Sequence, residues 1–488
     1  MRWIVLGALA GGLLVGCSSS GGSESAAAAA EGAAWAAPAA TSGSRLRAKV
    51  LTAGGARELV AFFDTARNEE CTFQEVIGGR FRCLPASIFG TVSQLFADAA
   101  CTTQAVQVQS CVSDVKYVAT PVSSGCNGPA GTSTPVISEV RPVTGVVTTS
   151  YFKNAGSCTA QQTGGIPTQL TTLAVGDRIA LDEFVEATIT TETHEGITHR
   201  IAVSTDGARQ HLGYRDAALD VDCAFQVMAD GATRCAPAAA IGQLVYSDSN
   251  CTQPIGAISV KTGSCQSGAI AREVDPATGC ARAFYQVGPG TSSTDVEAGY
   301  IGSTNPRGCS TMYRPQSIIP LTNVTSSLPK LDRVSGGTGR LVPALVSGRS
   351  SDELVVGWHD VEKGVDCQFA KANDGKIRCL PTGESGLAFY TDTACKSPQR
   401  LAALSGQRGC VPNANKFVRT TEAACTTGAG RFDVTTRVFA LTGLERNVGP
   451  SSVETSPGRC VTVAGIVGAY DATEVNPADY VEANVVTE

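Results

Sequence analysis

The chain is short of aromatic side chains (6%), of charge (17%) and of histidine, with 4 in 488 residues, and each shortage removes a class of function. So few histidines supply neither repeated zinc sites nor a base for a cysteine nucleophile in every part of the chain. A net charge of −6 with both signs scattered argues against nucleic acid as a partner and offers no basic patch to anionic lipid. No G-x-S-x-G elbow, G-x-x-x-x-G-K-[ST] phosphate loop or H-E-x-x-H zinc helix occurs, so no catalytic residue, metal or cofactor is expected. Long helical periodicity is missing too. The one apolar run, Trp3 to Gly16, is short of the roughly 20 residues that span a bilayer and reads as a signal segment.

The nearest approaches to a motif fail on spacing. In "THEGITH", His194 and His199 stand five apart beside Glu195, so a helix would not bring them to one face, and the stretch reads as a surface linker between units. "GPGTSS" at Gly288 to Ser293 and "SGGTGR" at Ser335 to Arg340 lack a dinucleotide fingerprint and read as loops.

What is abundant is cysteine, and it is ordered. Cys17 apart, eighteen remain in three sets of six: Cys71, Cys83, Cys101, Cys111, Cys126 and Cys158; Cys223, Cys235, Cys251, Cys265, Cys280 and Cys309; Cys367, Cys379, Cys395, Cys410, Cys425 and Cys460. Other residues keep step. An aromatic lies nine positions before each first cysteine (Phe62, Tyr214, Trp358), an aspartate seven before (Asp64, Asp216, Asp360) and an acid one before (Glu70, Asp222, Asp366). Downstream follow Phe73, Phe225 and Phe369, then Gly79, Gly231 and Gly375, then Arg82, Arg234 and Arg378, then Pro85, Pro237 and Pro381. A second aspartate stands three before each third cysteine, at Asp98, Asp248 and Asp392.

The chain is therefore a triplicated unit, at 45–196, 197–336 and 337–488. Alternating and β-branched runs such as "RELVAFFD", "RIAVSTD" and "DVTTRVFAL" make it all-β. "YFKNAGSC" echoes "LFADAAC" within the first unit, which suggests two modules per unit. Six modules could close into a six-bladed β-propeller. The alternative is three consecutive β-sandwich domains, and the two architectures differ in whether the chain ends meet.

An even number of cysteines at wide spacing favours disulfides over metal. Proximity favours first-to-second, third-to-fourth and fifth-to-sixth pairing. Asp374-Gly375 reads as a two-residue hairpin turn, which leaves Cys367 and Cys379 too far apart unless a bulge intervenes. The recurring aspartates read as acceptors for turn N–H groups rather than calcium ligands. The aromatics read as core packing rather than a sugar-binding face.

The segment "LVGC" ending at Cys17 resembles the lipobox of bacterial lipoproteins. The resemblance implies that Cys17 becomes an acylated N-terminus after removal of residues 1–16, and Ser18 in place of an aspartate implies the outer membrane. The Ala/Ser/Gly-rich stretch through residue 44 is then a disordered tether with a root-mean-square reach of roughly 30 Å. The core "DC-x-F…DG-x-x-RC-x-P", at Asp222 to Pro237 and Asp366 to Pro381, resembles the cysteine-rich repeats of uncharacterised bacterial lipoproteins, with Glu70 and Gly78 departing from it in the first unit. These readings lead to an envelope protein that binds or scaffolds a protein or glycan partner, with an exported hydrolase of polysaccharide or peptide as the alternative.

Overall fold

The computed structural model describes residues 40–488 with interruptions, the longest at 124–134, 162–169, 259–269, 303–308, 405–415 and 426–431. Cys17, the tether up to residue 39, Cys111, Cys126, Cys265 and Cys410 lie outside the described residues. The chain is all-β, and the described residues form several sheets. No helix among them is long and apolar enough to cross a membrane.

Each unit opens with a four-stranded antiparallel meander. In the first these are β1 (Leu46–Ala53), β2 (Ala56–Asp64), β3 (Glu69–Val76) and β4 (Arg80–Pro85). After a second module the chain returns as β5 (Glu186–His194), which pairs with β4 and then with the first strand of the next unit. The second unit repeats this with β6 (Ile197–Ser204), β7 (Arg209–Asp216), β8 (Val221–Val227), β9 (Thr233–Pro237) and the return strand β10 (Lys330–Ser335). The third does so with β11 (Leu341–Ser347), β12 (Glu353–Asp360), β13 (Val365–Lys371) and β14 (Ile377–Pro381). Its return strand, β15 (Asn484–Thr487), pairs with β1, from Lys49↔Thr487 to Thr52↔Asn484. The first and last described strands therefore meet, and β1 to β15 form a pairing circuit with three-fold repetition. The same backbone bond recurs at each return, from the second cysteine's N–H to Val185 O, Pro329 O and Val481 O at 2.9, 3.1 and 2.9 Å.

Period-two burial explains the strands: Leu46, Ala48 and Val50 point inward while Arg47 faces solvent. A bulge recurs in the first hairpin of every unit, between Lys49/Val50, Arg200/Ile201 and Pro343/Leu345, and adds local twist where the sheet must curve. The first hairpins of the second and first units pack on the stapled hairpin of the preceding unit in the circuit. Ala202 and Ala208 lie in one cluster with Phe62, Phe73, Cys71 and Cys83, and Leu51, Ala53 and Ala56 with Trp358, Phe369, Cys367 and Cys379.

Two sequence expectations are corrected. The Asp374-Gly375 turn is a three-residue loop, since Ala372 and Lys376 are bonded across it and Gly375 takes φ +81°, the glycine-bulge hairpin. The added residue moves the cysteines from three positions out of register to two. Cys367 pairs with Pro381 and Cys379 with Phe369, so both cysteines share a face and their Cα atoms lie 5.2 Å apart. "THEGITH" is no linker. His194 ends β5 and His199 lies within β6, buried. Glu195 lies outside the described residues.

The second modules, at about 88–175, 243–323 and 384–474, carry their own apolar clusters. The echo noted in the first unit marks neighbouring strands, since Tyr151 and Phe152 pair with Phe96 and Leu95.

Candidate functional site

Disulfides join first to second cysteine in every unit, Cys71–Cys83, Cys223–Cys235 and Cys367–Cys379. The third cysteine, however, pairs with the sixth rather than the fourth: Cys101–Cys158, Cys251–Cys309 and Cys395–Cys460. Sequence distance misled here because sheet pairing brings the strand of the sixth cysteine to the loop of the third across 57 to 65 positions. Cys280 is also disulfide-bonded. Such bonds belong to an oxidising, extracytoplasmic environment.

The recurring aspartates of the second modules hold the loop of the third cysteine. Asp98 accepts from the N–H groups of Ala100, Thr102 and Thr103, and Asp248 from those of Asn250, Thr252 and Gln253. Asp392 accepts from Ala394 and Lys396. The cysteine itself takes φ +53° in all three, a strained conformation that these bonds fix. The Thr103 N–H, foremost among these donors, holds the Asp98 carboxyl down at about 2. At the stapled hairpins, Asp230 and Asp374 bind the arginine four residues on, at 2.7 Å in both. Arg82 and Arg378 also donate to Phe184 O and Tyr480 O, 2.9 and 2.8 Å away, which fastens the return strand.

The corner after each second strand is the most informative place. Asp64, Asp216 and Asp360 are 1%, 1% and 0% exposed, and one oxygen of each accepts the N–H groups two and three residues on. In the first unit Arg45 clasps the same carboxylate, Nε to Oδ1 at 2.7 Å and Nη2 to Oδ2 at 2.6 Å, and its Nη2 reaches Glu183 O at 3.2 Å. In the third, Arg340 does the same to Asp360, with Nη2 at 3.0 Å from Oδ2 and 2.6 Å from Asp479 O. Both carbonyls end a short 3₁₀ turn, Leu181–Glu183 or Pro477–Asp479. The second unit keeps the aspartate and the turn, Thr325–Ser327, but the residue before its first strand is Gly196. Asp216 Oδ2 is buried with no hydrogen-bond partner among the described residues.

The second unit differs in its core as well. Where Ala48 and Leu59 sit in the first unit, register puts His199 and His211, both buried. His199 meets the Tyr214 ring at 5.2 Å and His211 meets it at 4.7 Å; the two imidazoles are 5.8 Å apart. Burial, then the neighbouring His199, pushes His211 down to about 4. Among the described residues no group of three or more His, Cys, Asp or Glu could hold a metal ion. Tyr214, Phe62 and Trp358 are buried against Phe225, Phe73 and Phe369, the core role expected of them.

At the seam between third and first units, Trp358 Nε1 donates to Glu58 at 3.1 Å. Burial raises the Glu58 carboxyl, against the pull of that bond. Beside it, Thr52 to Arg57, Glu482 and Asn484 line an open cavity of about 430 Å³. Sequence reading missed Arg45, Arg340, Glu58 and His211. A signal for the first two was present: Arg45-Leu46 and Arg340-Leu341 open their units as Gly196-Ile197 opens the second.

The chain belongs to a family of unknown function, DUF7481, whose pattern covers residues 25–450. No curated protein and no solved structure matches it.

Proposed function

We propose that this disulfide-rich all-β protein is a binding or scaffolding module of the cell envelope, attached to the outer membrane through acylated Cys17 and held off it by the tether. Its partner on this reading is an envelope protein or glycan, and nucleic acid is not one. The observation that carries the proposal is the use of the recurring acids: those at the corners and cysteine loops accept turn N–H groups or clasp arginines, as a rigid display frame needs and as converging catalytic carboxylates would not. The meeting of β1 and β15 supports a closed arrangement of the three units, with modules set around a ring in the manner of a propeller.

Full-length protein bearing a C-terminal affinity tag, recovered from detergent-solubilised envelope, is expected to retain the same partner in every preparation and to take up an alkyne-labelled palmitate that Cys17→Ala abolishes. Repeated recovery without a partner would overturn the binding role. Absence of label would overturn the anchor. The hydrolase reading has one observation in its favour, the buried, raised Glu58 carboxyl next in chain to the cavity-lining Arg57. It requires a polysaccharide- or peptide-cleaving activity that Glu58→Gln abolishes.

A further inference from the structure

We propose that the second unit binds a guanidinium group, the end of an arginine side chain on a partner polypeptide, at Asp216, in the position that Arg45 and Arg340 occupy in the sister units. This rests on the binding reading above and names the chemistry of one contact. Three observations carry it. First, the acceptors are all kept: a buried carboxylate whose Oδ1 is held by Ala218 and Leu219 N–H at 2.9 Å each, and the 3₁₀ turn ending at Ser327, the counterpart of the turns whose last carbonyls, Glu183 O and Asp479 O, accept from Arg45 and Arg340. The second oxygen, which faces the arginine elsewhere, lacks a partner among the described residues, and an unpaired buried carboxylate oxygen is costly.

Second, there is a place for the stem. Gly196 stands where Arg45 and Arg340 stand, and among the described residues a Cβ built on it would meet only Pro329 Cγ, at an ordinary 3.5 Å. The two resident arginines are 32% and 28% exposed, so in the sister units the clasp lies at the rim, where an incoming chain would approach.

Third, the surroundings have been exchanged in the sense that suits a guanidinium from outside. In the first unit Arg67 lies over the Phe184 ring at 4.6 Å, and in the third Lys363 lies over Tyr480 at 5.6 Å. In the second unit these positions are Leu219 and Leu328, which belong to one apolar cluster. The apolar walls suit the weakly hydrated faces of a guanidinium better than a strongly hydrated ammonium. Two parallel N–H donors matching a carboxylate supply the orientation.

The test is isothermal titration of the full-length protein with Nα-acetyl-arginine amide and with its lysine counterpart. We expect one saturable site for the arginine compound, at least about tenfold tighter than for lysine. Asp216→Asn should abolish it. Should that variant fail to fold, Gly196→Arg decides: it supplies from the chain itself the arginine that the sister units carry at Arg45 and Arg340 and should likewise abolish uptake. No saturable uptake, equal uptake of both compounds, or uptake that survives Gly196→Arg would overturn the inference. A silent titration alongside successful envelope capture would reject this contact and leave the binding role standing.

Discussion

The first and second units share a meander, a staple and a buried corner aspartate, yet only the first pairs that aspartate with an arginine. Asp64 is clasped by Arg45, whereas Asp216 Oδ2 has no partner among the described residues; Ala48 and Leu59 pack where His199 and His211 are buried. Threefold repetition acts as an internal control. What recurs in all three units is accounted for by turns, staples and strand returns, so the fold can be explained from the recurring residues alone. What changes in one unit while staying buried and polar is not needed for the fold, because two sister units fold without it.

The largest effects should be shared by both units, and unequal ones would break the comparison. Replacing Cys101 and Cys158 by serine opens a loop of 57 positions and should cost about 4 kcal/mol in the chain-entropy estimate, and the Cys251–Cys309 pair, at 58, should cost the same. Urea unfolding of the two double variants measures this. Next comes the corner. Asp64→Asn strands Arg45 against a neutral amide and should cost about 3 kcal/mol. Asp216→Asn, which keeps an acceptor for Ala218 and Leu219 and removes an unpaired charge, should cost less than about 1 kcal/mol. Similar losses at both corners in urea titrations would refute the assignment of Arg45 as the difference.

Smaller effects depend on pH and have opposite signs at the two sites. His211 has its pKa pushed from 6.5 to about 4, so the folded state binds the proton less readily than the unfolded chain. The stability that His211 contributes is present above pH 6.5 and lost as pH falls toward 4. His211→Leu, which copies Leu59, should flatten the melting temperature between pH 6.5 and 4.5. Glu58 is raised above 4.5 by burial, so its contribution is present below pH 4.5 and lost as pH rises through the raised value. Glu58→Gln should therefore raise the melting temperature at pH 7 and leave it unchanged at pH 4. The least effect on stability, but a sharp test of equivalence, is a non-reducing peptide map. With first joined to second and third to sixth, Cys280 is expected to be linked to Cys265, and a peptide joining Cys280 to any other cysteine would show that the second unit departs in its staples too.

Much of the frame was legible beforehand. The register of Phe62, Asp64, Cys71, Arg82 and Pro85 with their counterparts identified the repeat, and the period-two runs identified strands, since both signals are local. The Asp374-Gly375 dipeptide marks a turn without fixing its length, because a two-residue turn and a glycine-bulge hairpin share it. The roles of the corner and cysteine-loop aspartates were read correctly, as turn acceptors act within five residues. The Arg45 and Arg340 clasps went unread, since nothing in the spacing of 19 or 20 positions says that two strands fold back to bring the groups together.

The sequence by itself determined the threefold unit, the β character, the hairpin staples and the turn-capping aspartates, because each is set by residues within about a dozen positions of one another. Tertiary structure alone decided that third and sixth cysteines meet, that β15 closes on β1, that Glu58 reaches Trp358 from another unit, and that His211 and Asp216 are buried. Those contacts join positions tens to hundreds of residues apart, and their partners are chosen by how sheets stack and close, which no local pattern encodes.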